Sequence, residues 1–136
     1  CIFLRCIDPP DGTDLHSSDE DSEKSLVEKV GDIANEWNYH NNIGIAISAS
    51  DIGGLTVIRR ICPELPILLT GADGPGVDLG KLISHGIGNK GANLLIQVQG
   101  EITYASSGAD FTSAAQEASH DWRRRLDDIT TAASER

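Results

Sequence analysis

Two apolar runs late in the chain each end in a loop punctuated by glycine. Pro66-Ile67-Leu68-Leu69-Thr70 runs into Gly71-Ala72-Asp73-Gly74-Pro75-Gly76, and Leu94-Leu95-Ile96-Gln97-Val98 runs into Gln99-Gly100-Glu101-Ile102-Thr103-Tyr104-Ala105-Ser106. A short apolar run that ends in a glycine turn and then enters a helix is the junction where parallel α/β proteins hold phosphorylated ligands. Two such junctions in succession call for parallel strands with helices between them. The same loops carry Asp73 and Glu101 where an anion site wants bases. A unit charge at about 5 Å in a partly screened site costs roughly 3 kcal/mol against an anion.

The rest of the chain follows the same alternation. Ile2 to Ile7 reads as a short buried strand, stopped by Asp8-Pro9-Pro10-Asp11-Gly12, which cannot continue a ladder. Ser22 is the expected cap of a helix whose apolar positions Leu26, Val27, Val30, Ile33, Ala34 and Trp37 recur at helical spacing until Asn41-Asn42. Ile43 to Ser48 is nearly all apolar, the mark of a strand buried on both faces. Ser50 or Asp51 caps a second helix through Leu55, Val57, Ile58 and Ile61, ended by Pro63. Pro66 to Thr70 is the third strand. Asp78 caps a third helix, Leu79 to His85, with Gly86 as its C-terminal stop.

A Gly- and Asn-rich linker, Gly86 to Asn93, leads to the fourth strand, Leu94 to Val98. The stretch Asp110 to Thr130 has helical spacing at Phe111, Ala114, Ala115, Ala118, Trp122, Leu126 and Ile129. Arg123-Arg124-Arg125 falls in its later part, where positive charge complements the helix dipole. Residues 131–136 are expected to fray. The fold class is therefore α/β: four consecutive βα units, a parallel sheet and right-handed crossovers. Four units cannot close an eight-stranded barrel. The chain reads either as half of a (β/α)8 TIM barrel or as a small open sheet, in a single domain over 1–136.

Charge narrows the partners. The 136 residues carry a net charge of −10, which argues against nucleic acid, since that binding relies on Lys and Arg. Much of the negative charge lies in the acidic stretch 8–22, read as a solvated loop. No apolar run approaches the roughly 20 residues that span a bilayer, and no signal-peptide pattern opens the chain. Cys1, Cys6 and Cys62 have no metal-ligand spacing and suggest reduced thiols, hence a cytoplasmic setting. His16, His40, His85 and His120 share no spacing with Cys or carboxylates, so no metal is expected. Cys1 opens the chain inside an apolar run, with no Met anywhere, so a piece of a longer chain is expected.

In order and spacing these segments resemble the C-terminal half of the orotidine-5′-phosphate decarboxylases, in particular a bacterial branch of that family. Phe3-Leu4-Arg5-Cys6-Ile7-Asp8-Pro9 stands where the family has a strand running into Thr-Ser-Asn-Pro. Gly44-Ile45-Ala46-Ile47-Ser48-Ala49-Ser50 is similar to its Val-Val-Gly-Ala-Thr strand, and Arg59 to Pro63 to an Arg-x-x-x-Pro-like stretch. Leu65-Pro66-Ile67-Leu68-Leu69-Thr70-Gly71 resembles the strand entering a Pro-Gly-x-Gly-Ala-Gln-Gly-Gly loop. Ile102-Thr103-Tyr104-Ala105-Ser106 with Asp110-Phe111 matches the end of the pattern.

The resemblance implies a cofactor-free lyase of pyrimidine biosynthesis, converting orotidine monophosphate to uridine monophosphate. It places the catalytic Lys and Asp network in the other half, so this chain alone is expected to be inactive. It assigns Ile7, Asp8, Ser48, Gly71, Gly74, Pro75, Gly76, Gly100 and Glu101 to the substrate rim, with no catalytic residue and no metal ligand in this half. Several positions depart from the family. Pro75 stands where a Gln, and Gly100 where an Arg, grips the phosphate, and Ile7 replaces a Ser that reads the pyrimidine.

Bland readings stay beside these. The glycines permit sharp turns, Ser50 caps a helix, and Asp8 and Asp11 form turns beside prolines. His85 meets the carbonyls of its own helix end. Trp37 and Trp122 pack in a core or between helix and barrel. A catalytically degenerate binding or structural module is the alternative function. The expected partners are a small nucleotide and either a missing N-terminal half-barrel or a second copy, without nucleic acid or membrane.

Overall fold

A computed structural model of the chain describes residues 1–5, 24–87 and 93–134. The expected strand end at Ile7, the acidic stretch 8–22, the Ser22 cap and most of the 86–93 linker lie outside the described residues. The strands are β1 (Ile2–Arg5), β2 (Ile43–Ser48), β3 (Ile67–Thr70) and β4 (Leu94–Ile96). The helices are α1 (Leu26–Trp37), α2 (Ile52–Ile61), α3 (Leu79–Gly86), a short α4 (Gly100–Thr103) and α5 (Phe111–Ser134), with a 3₁₀ turn at Asn38–His40.

The four strands are parallel and lie side by side in chain order, with Ile2 opposite Ile43, Ile45 opposite Ile67 and Ile67 opposite Leu94. Crossovers of one hand that each step one strand sideways place every helix on the same face of the sheet. The packing agrees. Ile43, Ile45 and Ile47 of β2 and Ile67 and Leu69 of β3 share one buried cluster with residues of four helices. Those are Val27 and Ala34 of α1, Leu55 and Ile58 of α2, Leu79 and Leu82 of α3, and Trp122 of α5. The helices form one layer, α1 on α2, α2 on α3 and α3 on α5. This singly wound layer is an arc of a barrel; a doubly wound open sheet would have helices on both faces.

The opposite face carries the alternate residues, among them Ala46, Leu68 and Leu95, aligned across β2, β3 and β4. Leu95 is 47% exposed there, and Ile2 on the edge strand is 59% exposed. Phe3 of β1 is fitted to Gly44, where a Cβ would come within 2.5 Å of the Phe3 ring.

Local chemistry sets the helix starts. α1 is capped by Ser25, whose Oγ accepts from the Glu28 amide at 3.3 Å while Glu28 Oε2 accepts from the Ser25 amide at 3.0 Å. This reciprocal box wins over Ser22 because a Glu stands three residues on. Between the two candidates for α2, Asp51 is the cap, accepting from the Gly54 amide at 2.8 Å. Asp78 caps α3 as expected, accepting from the Lys81 amide at 3.1 Å. That bond, chiefly, holds the Asp78 carboxyl below its usual range.

Several expectations need correction. Gly86 is not a left-handed helix stop: it is buried as the last residue of α3. A Cβ there would meet Leu94 Cδ1 at 2.9 Å, so the residue serves a close approach to β4. The strand from Pro66 is shorter by one residue, and that from Leu94 ends at Ile96 instead of Val98. Residues 131–134 continue α5, with Thr131 Oγ1 donating to the Asp127 carbonyl at 2.9 Å, so the tail does not fray there. The arginine run consequently sits mid-helix, away from the terminal carbonyls. Arg125 instead lies 4.9 Å over the Trp122 ring, while Arg124 pairs with Asp121. Trp122 is buried as expected, but Trp37 is 54% exposed. His85 Nδ1 lies 2.8 Å from the Lys81 carbonyl, as its place near a helix end suggests.

Candidate functional site

In a parallel sheet with one helical layer, loops following the strands gather at one rim, and ligand chemistry is built there. Arg5 ends β1 at this rim, exposed to solvent. Ser48 ends β2, and its Oγ lies 2.8 Å from Ser50 Oγ and 3.3 Å from the Ser50 amide that donates to it. The two hydroxyls are thus turned to each other. Thr70 ends β3 and donates back to the Ile47 carbonyl at 3.4 Å. The β3 and β4 loops are joined through main chain, the Ala72 amide donating to the Gln97 carbonyl at 3.3 Å.

The glycines of the β3 loop are conformational first. Gly71 and Gly76 have φ of 72° and 77°, in the left-handed region where a Cβ is costly. The Gly74 amide is spent within the turn, donating to the Gly71 carbonyl at 3.0 Å. Pro75 is exposed and has no amide hydrogen.

One side chain ties this loop to the next. Asp73 Oδ2 accepts from the backbone amides of Gln99 at 3.2 Å and Glu101 at 3.0 Å. Hydrogen bonding, led by the Glu101 amide, holds the Asp73 carboxyl below the usual carboxylate range, so it is ionised at neutral pH. Gly100 lies between the two donors, where a Cβ would come within 3.1 Å of that oxygen.

Glu101 does not add its charge to the same point, as the sequence suggested. Its Oε2 accepts from Trp122 Nε1 at 2.8 Å, so the carboxylate is turned toward α5. The indole is buried and needs a polar partner, and Glu101 is the partner it finds. Neither contact was anticipated from the sequence. The only signal is an Asp beside glycines, a residue type that accepts backbone amides readily.

Of the expected rim residues, Ser48 ends β2, Gly71, Gly74, Pro75 and Gly76 lie on the loop after β3, and Gly100 and Glu101 open the short helix α4. Asp73 draws the β3 and β4 groups together. Ile7 and Asp8 fall outside the described residues. Among the described residues no group of three or more His, Cys, Asp or Glu could hold a metal ion. Cys62 is no nucleophile: burial pushes its thiol up to about 11, and its Sγ donates to the Gly31 carbonyl at 3.3 Å.

No family model matches the chain. Individual proteins do. An orotidine 5′-phosphate decarboxylase of Dehalococcoides mccartyi is 33% identical over 126 residues, covering 90% of this chain and 47% of that protein. One of Roseiflexus castenholzii is 30% identical over 134 residues, covering 98% of this chain and 48% of its own length. Among solved structures, the OMP decarboxylase of Leishmania donovani superposes with a TM-score of 0.71 at 25% identity, over 95% of this chain and 48% of that one. The UMP synthase of the same organism gives 0.73 at 25% identity, over 94% of this chain and 27% of the other. The chain thus spans about half the length of the curated relatives it matches.

Proposed function

The chain belongs to the orotidine 5′-phosphate decarboxylase family, and from that premise we propose that it forms the nucleotide-side rim of a barrel converting orotidine monophosphate to uridine monophosphate. The observation that carries this reading is the match of nearly the whole chain, as four βα units in barrel order, to about half of such decarboxylases.

In this reading the present residues bind and orient. The loops after β3 and β4 face the phosphate end, Ser48 and its partner Ser50 lie nearer the base, and the Lys–Asp proton chemistry comes from four further βα units. Those units are the proposed partner, as an N-terminal half-barrel. Among the described residues no strand pairs with the outer edges of β1 and β4, Leu95 is half exposed on the barrel side, and Leu26, Ile33 and Trp37 form an exposed stripe on α1. A parallel sheet wants both edges and both faces covered. A second copy of this chain is a poorer cover, since each copy brings a net charge of −10. No helix among the described residues is long and apolar enough to cross a membrane, and we place the protein in the cytoplasm.

The internal contact of Asp73 favours a second reading, a homologue that keeps the scaffold and has lost the phosphate grip. The test is to express the complete reading frame and follow loss of orotidine monophosphate. Turnover supports the enzyme. A folded protein with no turnover and no binding of uridine monophosphate leaves the degenerate module.

A further inference from the structure

Arg5 puts a permanent charge on the face of the sheet that a closed barrel buries. It is the last residue of β1 and stands opposite Ala46 in the parallel register. Leu4 packs against the helix-side cluster, so strand alternation turns Phe3 and Arg5 to the other face. The Phe3 ring is found there, where a Cβ on Gly44 would come within 2.5 Å of it. In an eight-stranded barrel that face is a packed interior. In this half it is open, and Arg5 is exposed. The ion pairs among the described residues leave Arg5 out. β2, the strand beside it, brings Gly44, Ala46 and Ser48 to the same face, none of them ionisable. Asp51, Asp73 and Glu101, on the loops of this rim, are engaged by the Gly54 amide, by the Gln99 and Glu101 amides and by the Trp122 indole. A guanidinium does not shed its proton, so enclosing it without an anion is costly.

We propose that Arg5 forms an ion pair between the two halves of the closed barrel, with an Asp or Glu carboxylate carried at a strand end of the further βα units, and so acts as a positioning residue for that acid. The inference rests on the barrel reading above, though not on turnover. The outer edge of β1 is where such units attach. The Ile2 amide donates inward to the Asn42 carbonyl at 2.7 Å, so by alternation the Phe3 amide points outward, toward a strand still to come. Arginine suits the task, since its planar fork holds a carboxylate by two bonds and fixes its direction.

The experiment uses the protein expressed from the complete reading frame. Slow hydrogen exchange of the Phe3 amide reports that a strand covers the edge of β1, independently of Arg5. At neutral pH the Arg5 Nε–H is expected to exchange at least about tenfold more slowly than that of the exposed Arg123, and to lose this protection as acid protonates its partner. Arg5→Met is expected to lower the folded-to-unfolded ratio at least about a hundredfold at neutral pH. The loss should shrink in acid, where the stranded carboxyl is neutral, and Arg5→Lys should recover part of it. If Arg5→Met does not fold, exchange in the unaltered protein decides alone. A protected Phe3 amide beside an unprotected Arg5 overturns the pair and leaves the barrel standing. An unprotected Phe3 amide removes both. Loss of the Arg5 protection in Asp8→Asn would put the partner in this half, and protection that needs added uridine monophosphate would put it on a ligand; either result overturns the pairing.

Discussion

The two rims of the sheet are each fastened by one charged side chain, and the fastenings differ in kind. At the rim where the strands begin, the half-buried Arg59 donates to the carbonyls of Gly86 at 2.8 Å, Leu65 at 3.0 Å and Pro63 at 3.1 Å, with longer bonds to Cys62 and Asn93 at 3.4 Å. It ties together the ends of α2 and α3 and the entries to β3 and β4. At the other rim Asp73 makes two bonds to two neighbouring amides, close to solvent. The planar fork of Arg59 serves five acceptors at once, and burial pushes its guanidinium down from its ordinary value without neutralising it. One rim is built to hold. The other is held by a lighter contact, two bonds from one exposed carboxylate oxygen. This division, stability where strands enter and function where they leave, is the one expected of barrel folds.

The comparison breaks first at Arg59. Arg59→Ala strands several carbonyls at once, and about 3 kcal/mol of unfolding free energy is expected to go, read from urea midpoints at constant slope. Arg59→Lys should recover less than half, because an ammonium cannot span the same acceptors. A loss near zero in Arg59→Ala would remove the distinction between the rims. Gly71→Ala comes next, at about 1 kcal/mol, since φ of 72° suits glycine. Nothing lies within 4 Å of a Cβ there, so the cost is backbone strain alone and the same denaturation curve measures it.

Asp73→Asn gives a smaller, pH-dependent effect. The carboxyl is held below its unfolded value, so its contribution is complete above the ordinary carboxylate range near 3.9 and is lost as pH falls through the lower folded value. Wild type and variant should therefore differ at neutral pH and converge in acid. Curves that stay apart in acid would deny Asp73 its charge-dependent part. Least visible is Cys62. With its thiol pushed up to about 11, it should resist alkylation in the folded chain at neutral pH while the exposed Cys1 reacts. Peptide mass analysis of alkylated protein checks it.

Much of the fold was legible because both periodicities are strong. Ile43 to Ser48 is an unbroken apolar strand, and the spacing of Leu55, Ile58 and Ile61 reads as a helix. Strand ends and caps were less legible. Ser22 and Ser25 are the same residue type, and only the partner Glu28 separates them. Trp37 looks like core by spacing, yet spacing does not say whether an apolar face finds a neighbour. At the rim, Gly71 and Gly76 were readable as turn glycines from their residue type. Asp73 was readable as a charge, but not as the acceptor for amides in another loop.

The sequence by itself determined the order of elements and their parallel arrangement, since these follow from local patterns of apolar, glycine and capping residues. The tertiary structure alone decided where the charges point: Asp73 into the β4 loop, Glu101 toward Trp122, and Arg59 across the strand entries. The reason is physical. A hydrogen bond across 21 or more residues leaves no periodic trace in the chain, and the direction of a carboxylate depends on which unsatisfied donor the fold brings beside it.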